Sequence, residues 1–325
     1  MSIYPENVLV MAPLSGYTDL PYRQSMRRCG CRFAFAEMID AASLAYSPER
    51  ALAMLRRGGD EDFLGVQLVG SDPEQLKTAC GRLAGVEASV LDFNLGCPVP
   101  KVTKKQAGAA LGRHIEKALQ CFRVLKEYTG FRVTAKIRIV SEQDPEPTLD
   151  LVRGLTECGA EAITIHARTL EGFYTGTLHP EYIAMAHEAV PNQEIIANGG
   201  VKDLASYRWL REKSGVSRVM LAQGAMGNPW LFRILTGGAN PTLSEWKEMI
   251  LTHIREMCGL YGEASAMRQS RKIVHHYLKA RGIPTLFRDR ASYLTEYRQL
   301  EEMLTQVTFS GGPVPRPFDN SSNWV

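Results

Sequence analysis

The stretch 92–102, Asp-Phe-Asn-Leu-Gly-Cys-Pro-Val-Pro-Lys-Val, begins as an apolar strand and breaks at Gly96-Cys97-Pro98. It sets one cysteine where a strand runs out into a loop. Such a thiol is either a buried structural side chain or a group aimed at a ligand. Polar residues end other short apolar runs in the same way: Pro13-Leu14-Ser15-Gly16, Glu37-Met38, Gln67, Asn94, Lys136-x-Arg138, His166-x-Arg168, Asn198-Gly199-Gly200 and Ala222-Gln223-Gly224. Lys136 is the most informative of these, because an unpaired ammonium in an apolar strand is costly to bury. An anionic ligand would offset that cost. The glycines at 199, 200 and 224 suit a loop whose backbone N–H groups hold a phosphate at a helix N-terminus; residues 225–232 offer such a helix. Together these residues outline a cofactor site.

The elements that must carry them are legible in the periodicity. Apolar or β-branched runs recur at 8–12, 32–37, 64–69, 90–95, 133–139, 162–166, 194–197 and 218–221. Helical stretches fall between them, at 40–58, from 71, and at 114–128, 148–158, 180–188 and 203–213. The one from 71 opens Ser-Asp-Pro-Glu, a cap followed by a proline and an acid in the first turn. Eight strands alternating with helices predict a parallel sheet closed into a (β/α)8 barrel. An open doubly wound sheet would want G-x-G-x-x-G after its first strand, and none is present. In such a barrel chemistry collects at the strand ends, where the polar residues fall. Taken singly, Gln67 is equally a cap on the barrel, His166 a hydrogen-bonded core histidine, and Asn198-Gly199-Gly200 a tight turn.

After residue 238 the alternation stops. Trp246, Ile250, Ile254, Met257 and Tyr261 recur at three- and four-residue steps, an amphipathic helix over 243–261; 264–281 and 290–304 are helical too. The expected division is a barrel domain at 1–238, an all-helical domain at 239–308 and a disordered tail at 309–325, rich in Gly, Pro, Ser and Asn. The 325 residues, 45% hydrophobic and 22% charged, lack a membrane-spanning run and a secretory leader at the start. Seven scattered cysteines (29, 31, 80, 97, 121, 158, 258) suit reduced thiols in a cytoplasmic protein, and no pairing at zinc spacing occurs. Net charge is only +3, yet 264–290 holds seven Lys/Arg (268, 271, 272, 279, 281, 288, 290) against one acid, Asp289. A basic face of that kind points to a phosphate-rich partner.

MAPLSGYTD, VQLVGSDPE, DFNLGCPVPKV followed by GAALG, KIRI, IHARTLEGFYTG, IANGGV and GAMGNPW resemble the tRNA-dihydrouridine synthases, the bacterial B-type branch in particular. The resemblance covers roughly residues 8–305 and extends to Met267-Arg268-x-x-Arg271-Lys272-x-x-x-x-Tyr277-x-Lys279, which is similar to that family's tRNA-facing helix. It implies an FMN-dependent oxidoreductase that reduces the C5–C6 double bond of particular uridines in tRNA, with NADPH as electron source. Cys97 would be the general acid. Pro13, Leu14, Ser15, Gln67, Lys136, His166, Asn198, Gly199, Gly200, Ala222 and Gln223 would surround FMN, and Asn94 and Arg138 would lie near the everted uracil. Lys101, Lys104, Lys105, Arg268, Arg271, Lys272 and Lys279 would grip the RNA. Hydride delivered to C6 leaves charge over C5 and O4, so a proton must reach C5. A thiol of pKa about 8.5 is largely protonated at neutral pH and can supply it.

Two positions depart from the family pattern. Ala222-Gln223 stands where the family has Gly-Arg, removing a charge near the flavin phosphate, and Leu170 replaces an arginine after His166-Ala167-Arg168-Thr169. The competing expectations are a small-molecule flavin oxidoreductase of the dihydroorotate dehydrogenase type, and an RNA-binding protein that has lost its flavin. No metal is expected. A monomer is the default, and the target uridine is not encoded in any motif.

Overall fold

The computed structural model describes residues 2–279 and 282–308. Its eight strands are β1 (Leu9–Met11), β2 (Phe33–Asp40), β3 (Leu64–Val69), β4 (Val90–Leu95), β5 (Arg132–Arg138), β6 (Ala162–His166), β7 (Glu194–Asn198) and β8 (Val219–Leu221). Each pairs in parallel with the next, and β1 pairs with β8 to close the barrel. That closure excludes the open sheet. Of the described residues, those within Met1–Leu20, Arg32–Val201 and Ala205–Ala222 form one compact unit, and those within Pro21–Cys31, Lys202–Leu204 and Gln223–Val325 a second. The boundary expected after residue 238 falls inside the second unit.

The barrel interior is layered by strand alternation. Its floor is apolar: Val8 and Val10 on and before β1, Phe35, Val90, Ala162, Ile196 and Met220 pack with Phe63 and with Tyr4 from the N-terminal segment. Two residues further along the same faces the character changes to Asp92, Thr164 and Asn198. Gly65 on β3 belongs to the floor for want of space, since a Cβ there would lie 2.3 Å from two carbons of the Phe35 ring.

Most helices form where the periodicity places them, including Pro73–Leu83, whose N-cap Asp72 accepts from Glu74 N and Gln75 N. Two expected helices are each divided. The stretch 40–58 forms Ala41–Tyr46 and Pro48–Ala53. Pro48 lacks an N–H and pushes Ser47 out of the helical region, to ψ 68°. The stretch 290–304 instead yields Thr285–Ala291 and Tyr297–Thr305, because Glu296 and Gln299 form a capping box that starts a new helix.

The second unit is helical. Leu243–Tyr261 opens on a Thr242/Glu245 capping box and buries Trp246, Ile250, His253, Ile254 and Met257; Tyr261, expected on that stripe, is exposed at its end. Glu263–Leu278 buries Met267, Ile273, Val274 and Tyr277. The helix expected at 225–232 is replaced by a 3-10 turn at Gln223–Ala225 and a short helix at Leu231–Leu235. Between them Gly227, at φ +63°, lies so close to His276 that a Cβ would come 2.2 Å from its carbonyl carbon. The tail 309–325 and Arg281 lie outside the described residues. Among the described residues no helix is long and apolar enough to cross a membrane.

Gly65→Ala should test the packing of the floor. Overfilling a close-packed interior costs about 1–3 kcal/mol, so the urea midpoint should fall without a change in slope.

Candidate active site

The site begins as a polar row across β3, β4 and β5, where the register sets Gln67 beside Asp92 and Asp92 beside Thr134. Asp92 is fully buried and accepts two hydrogen bonds, from Gln67 Nε2 at 2.7 Å and from Thr134 Oγ1 at 2.6 Å. Burial still dominates and raises its pKa to about 6, against the lowering effect of those two donors and of Lys136. Two residues further along β4, Asn94 donates to Gln67 Oε1 at 2.7 Å and to Met38 Sδ at 3.2 Å. Its Oδ1 accepts from Gly96 N at 3.0 Å and Cys97 N at 2.8 Å.

Those two bonds fix the turn that carries Cys97. On its far side Ala109 N donates to the Cys97 carbonyl at 3.0 Å. Gly108 permits this approach: it adopts φ +61°, and a Cβ would come 2.7 Å from that carbonyl oxygen. Cys97 is half-buried. Burial pushes its thiol pKa up, while a hydrogen bond from Val99 N and the charges of Arg138 and Lys136 pull the other way without prevailing. The thiol is therefore protonated at neutral pH. All seven cysteines are free, and burial drives Cys29 up to about 12 and Cys80 and Cys121 to about 11.

Lys136 pairs in register with Asn94 and donates to Asn198 Oδ1 at 2.9 Å. Among the described residues no carboxylate comes within ion-pairing distance of it. Burial and the neighbouring Arg138 lower its pKa to about 8, with Asp92 and Cys97 opposing. Asn198 in turn donates to the Met220 carbonyl at 2.8 Å. His166, beside Arg138 and Asn198 in register, is held well below its usual pKa, first by burial and then by the charges of Arg138, Lys136 and Arg168. It is a neutral imidazole. Gly199 and Gly200 follow at φ +132° and +70°, and a Cβ on Gly199 would sit 2.8 Å from Leu178 Cδ2 and 3.0 Å from His166 Cδ2.

Arg138 is buried and its guanidinium is taken up by carbonyls. Nε donates to Gly96 O at 2.8 Å, and Nη1 to Thr169 O at 2.9 Å and Phe173 O at 2.6 Å. Arg168 Nε donates to Gly176 O at 2.6 Å. Two arginines thus hold the loop after β6 from within. Tyr174 on that loop lies under the Arg138 guanidinium, 5.8 Å from carbon to ring centre.

The remaining expected residues are less concentrated. Leu14 heads the loop after β1, its N–H on Thr18 Oγ1 at 3.0 Å; Pro13 is half-buried and Ser15 exposed. Gly16 N in that loop donates to Glu37. Ala222 packs its methyl on the apolar floor, whereas Gln223 belongs to the second unit. Lys101 and Lys104 lie on and beside the short helix Pro100–Thr103, but Lys105 is paired with Asp40 at 2.9 Å. In the second unit Arg268 and Lys272 are exposed, while Arg271 Nε donates to Leu294 O at 3.0 Å; Lys279 is the C-cap of its helix. Asp92 and Thr134 went unread as site residues. The signal for Asp92 was available: an acid inside the apolar run Val-Leu-Asp-Phe-Asn-Leu has the same burial cost that singled out Lys136.

A closed parallel barrel whose polar side chains gather at the C-terminal ends of its strands defines a (β/α)8 protein, a fold in which chemistry is usually found at that mouth. The chain belongs to the dihydrouridine synthase (Dus) family, which it matches over residues 10–310. It is 32% identical over 279 residues to the tRNA-dihydrouridine synthase B of Pseudomonas aeruginosa, covering 84% of each chain. It is 30% identical over 290 residues to that of Proteus vulgaris, with 87% of this chain and 90% of the other covered. A third relative of the same name, from Pasteurella multocida, is 28% identical over 301 residues and 90% of both chains.

Arg138→Lys keeps the charge but not the planar fork that reaches both loops. Losing charge-assisted bonds to buried carbonyls should cost about 1.5–3 kcal/mol, read as a lower urea midpoint. Limited proteolysis within 168–176 should quicken.

Proposed function

We propose that this protein is a tRNA-dihydrouridine synthase: an FMN-dependent oxidoreductase that reduces the C5–C6 double bond of particular uridines in tRNA, with NADPH as electron source. The single observation that carries the reading is Cys97, a thiol kept protonated by burial and fixed by Asn94 at the mouth of a barrel of this family. The names of the relatives, tRNA-dihydrouridine synthases B, support the substrate.

The residues fit a flavin. Lys136 is a half-buried cation with an amide oxygen as its partner, a placement an anionic or electron-rich ligand would relieve. Gly199 and Gly200 stand at positive φ, a conformation glycine adopts readily and one that suits backbone N–H groups to an anion. Lys136, Gln67, Asn198, neutral His166 and the Pro13–Leu14–Ser15 loop would hold the cofactor, with Gly199, Gly200 and Ala222 near its phosphate. FMN, when bound, supplies the hydride that C6 of the uracil accepts. Cys97 does the rest of the covalent work: its S–H proton goes to C5, the S–H bond breaks and a C–H bond forms. The thiolate is then reprotonated from solvent. Lys136 and Arg138 steady the thiolate while it lasts. A uridine inside folded tRNA must be everted to reach the thiol. Lys101, Lys104, Arg268 and Lys272 supply charge for the phosphates that stay behind, Lys279 and Arg271 standing on the same helical segment.

Nucleoside mass analysis of tRNA from a deletion strain should show dihydrouridine lost at one or more positions; unchanged dihydrouridine everywhere would overturn the proposal. Turnover of a free pyrimidine without RNA would favour a small-molecule flavin enzyme. Cys97→Ala should retain flavin and its oxidation of NADPH while tRNA reduction drops by about 10²–10⁴-fold, the usual loss with a general acid. Near-normal reduction by that variant would remove the proton-donor role. Because the Lys136 pKa stands at about 8, the ammonium that favours flavin is present below that pH. Above it a proton must be taken up on binding, so FMN affinity should fall by roughly tenfold per pH unit. Lys136→Met should bind more weakly and lose that slope, as titration calorimetry would show.

A further inference from the structure

We propose that Asp92 is a positioning residue: it sets the direction of a relay of side-chain amides that ends on the backbone of the Cys97 turn. The relay runs from Asp92 Oδ2 to Gln67 Nε2, from Gln67 Oε1 to Asn94 Nδ2, and from Asn94 Oδ1 to Gly96 N and Cys97 N, its four heavy-atom distances lying between 2.7 and 3.0 Å. Each amide carries a donor end and an acceptor end, and could be met either way round. The two termini of this relay remove that choice. A carboxylate only accepts, so Gln67 must turn its NH2 toward Asp92 and its oxygen toward Asn94. Two backbone N–H groups only donate, so Asn94 must turn its oxygen toward the cysteine and its NH2 toward Gln67. One sense satisfies every group, and the reverse sense leaves donors facing donors at the Cys97 turn.

The anchor is itself held in place. Thr134 Oγ1 occupies the other carboxylate oxygen at 2.6 Å. The ionisable groups that bear on Asp92 are Lys136 from β5 and the Tyr4 hydroxyl from the N-terminal segment. Lys136 favours the carboxylate, and burial opposes it. Protonation, near pH 6, would give the anchor an O–H donor. Asp92 would then accept either end of Gln67, only the Asn94 amide would still set the sense, and the hold on the Cys97 turn would slacken. Asp92 is buried, with its oxygens on Gln67 and Thr134, so its effect on chemistry would pass through Asn94 and the turn. Its catalytic consequence rests on the proton-donor reading of Cys97; its existence does not.

The test reverses one link and then restores the sense. Gln67→Glu sets a carboxylate against Asp92, acceptor against acceptor. Adding Asp92→Asn repairs this: the introduced amide's oxygen takes the Thr134 O–H and its NH2 donates to the introduced carboxylate, which still accepts from Asn94. Amide hydrogen exchange at Gly96 and Cys97 is followed in the purified full chain. The single variant should exchange at least about tenfold faster than the native protein, and the double variant should return to within about threefold. A single variant that exchanges at the native rate, or a double variant no slower than the single, overturns the relay. Should Gln67→Glu not fold, the native protein decides the matter. With the Asp92 carboxyl carbon labelled, the Gly96 and Cys97 amide resonances should shift with the same midpoint as that carbon; amides that stay flat through its titration overturn the proposal. Activity is not the readout, since Gln67 also stands against the cofactor. If the exchange rates behave as expected but the native protein leaves tRNA uridines unreduced, the functional reading fails and the relay stands.

Discussion

The side-chain oxygen of Asn94 holds the mouth of this barrel in order. β4 ends at Leu95, and the next two N–H groups would be unpaired where the chain leaves the sheet. Asn94 accepts both, which bends the chain into a turn and places Cys97 on it. The carbonyls of the same turn are also spoken for, Gly96 O by Arg138 and Cys97 O by Ala109. A loop whose donors and acceptors are all matched by fixed partners has little conformational freedom, so the side chain it carries is held in one place.

Such a turn needs a polar interior, which a barrel of this size must arrange with care. Below the row of Gln67, Asp92 and Thr134 the interior is filled by Tyr4, Phe35, Phe63 and aliphatic side chains. Water does not solvate the polar row from beneath, so each of its groups has a protein partner. The cost survives in the titration behaviour. A carboxylate is raised, a lysine lowered and a histidine kept neutral, in each case chiefly by burial. Charge is concentrated here without being neutralised, the condition in which a ligand gains most from entering.

The fold was largely legible because buried parallel strands are continuous apolar runs, and all eight were found within a few residues. Helices were harder to delimit. Pro48 and the cap at Glu296 both divide stretches whose apolar spacing runs on unbroken, so the period outlived the element. Of the site, Cys97 and Lys136 stood out because their residue types conflict with their surroundings. Asp92 presents the same conflict, but it lies inside the strand rather than at its end, where the polar residues of the other strands collect. The use of Arg138 was not readable at all: its partners at 96, 169 and 173 come together only when β5 and β6 lie side by side. Lys105, expected on RNA, is likewise engaged by Asp40 from a strand 65 residues earlier.

One guanidinium therefore fastens two segments that are far apart in the chain. The turn bearing the thiol and the loop bearing Tyr174 share Arg138 as a common rivet, so neither can swing aside while the other stays. Removing that one side chain would loosen both segments together.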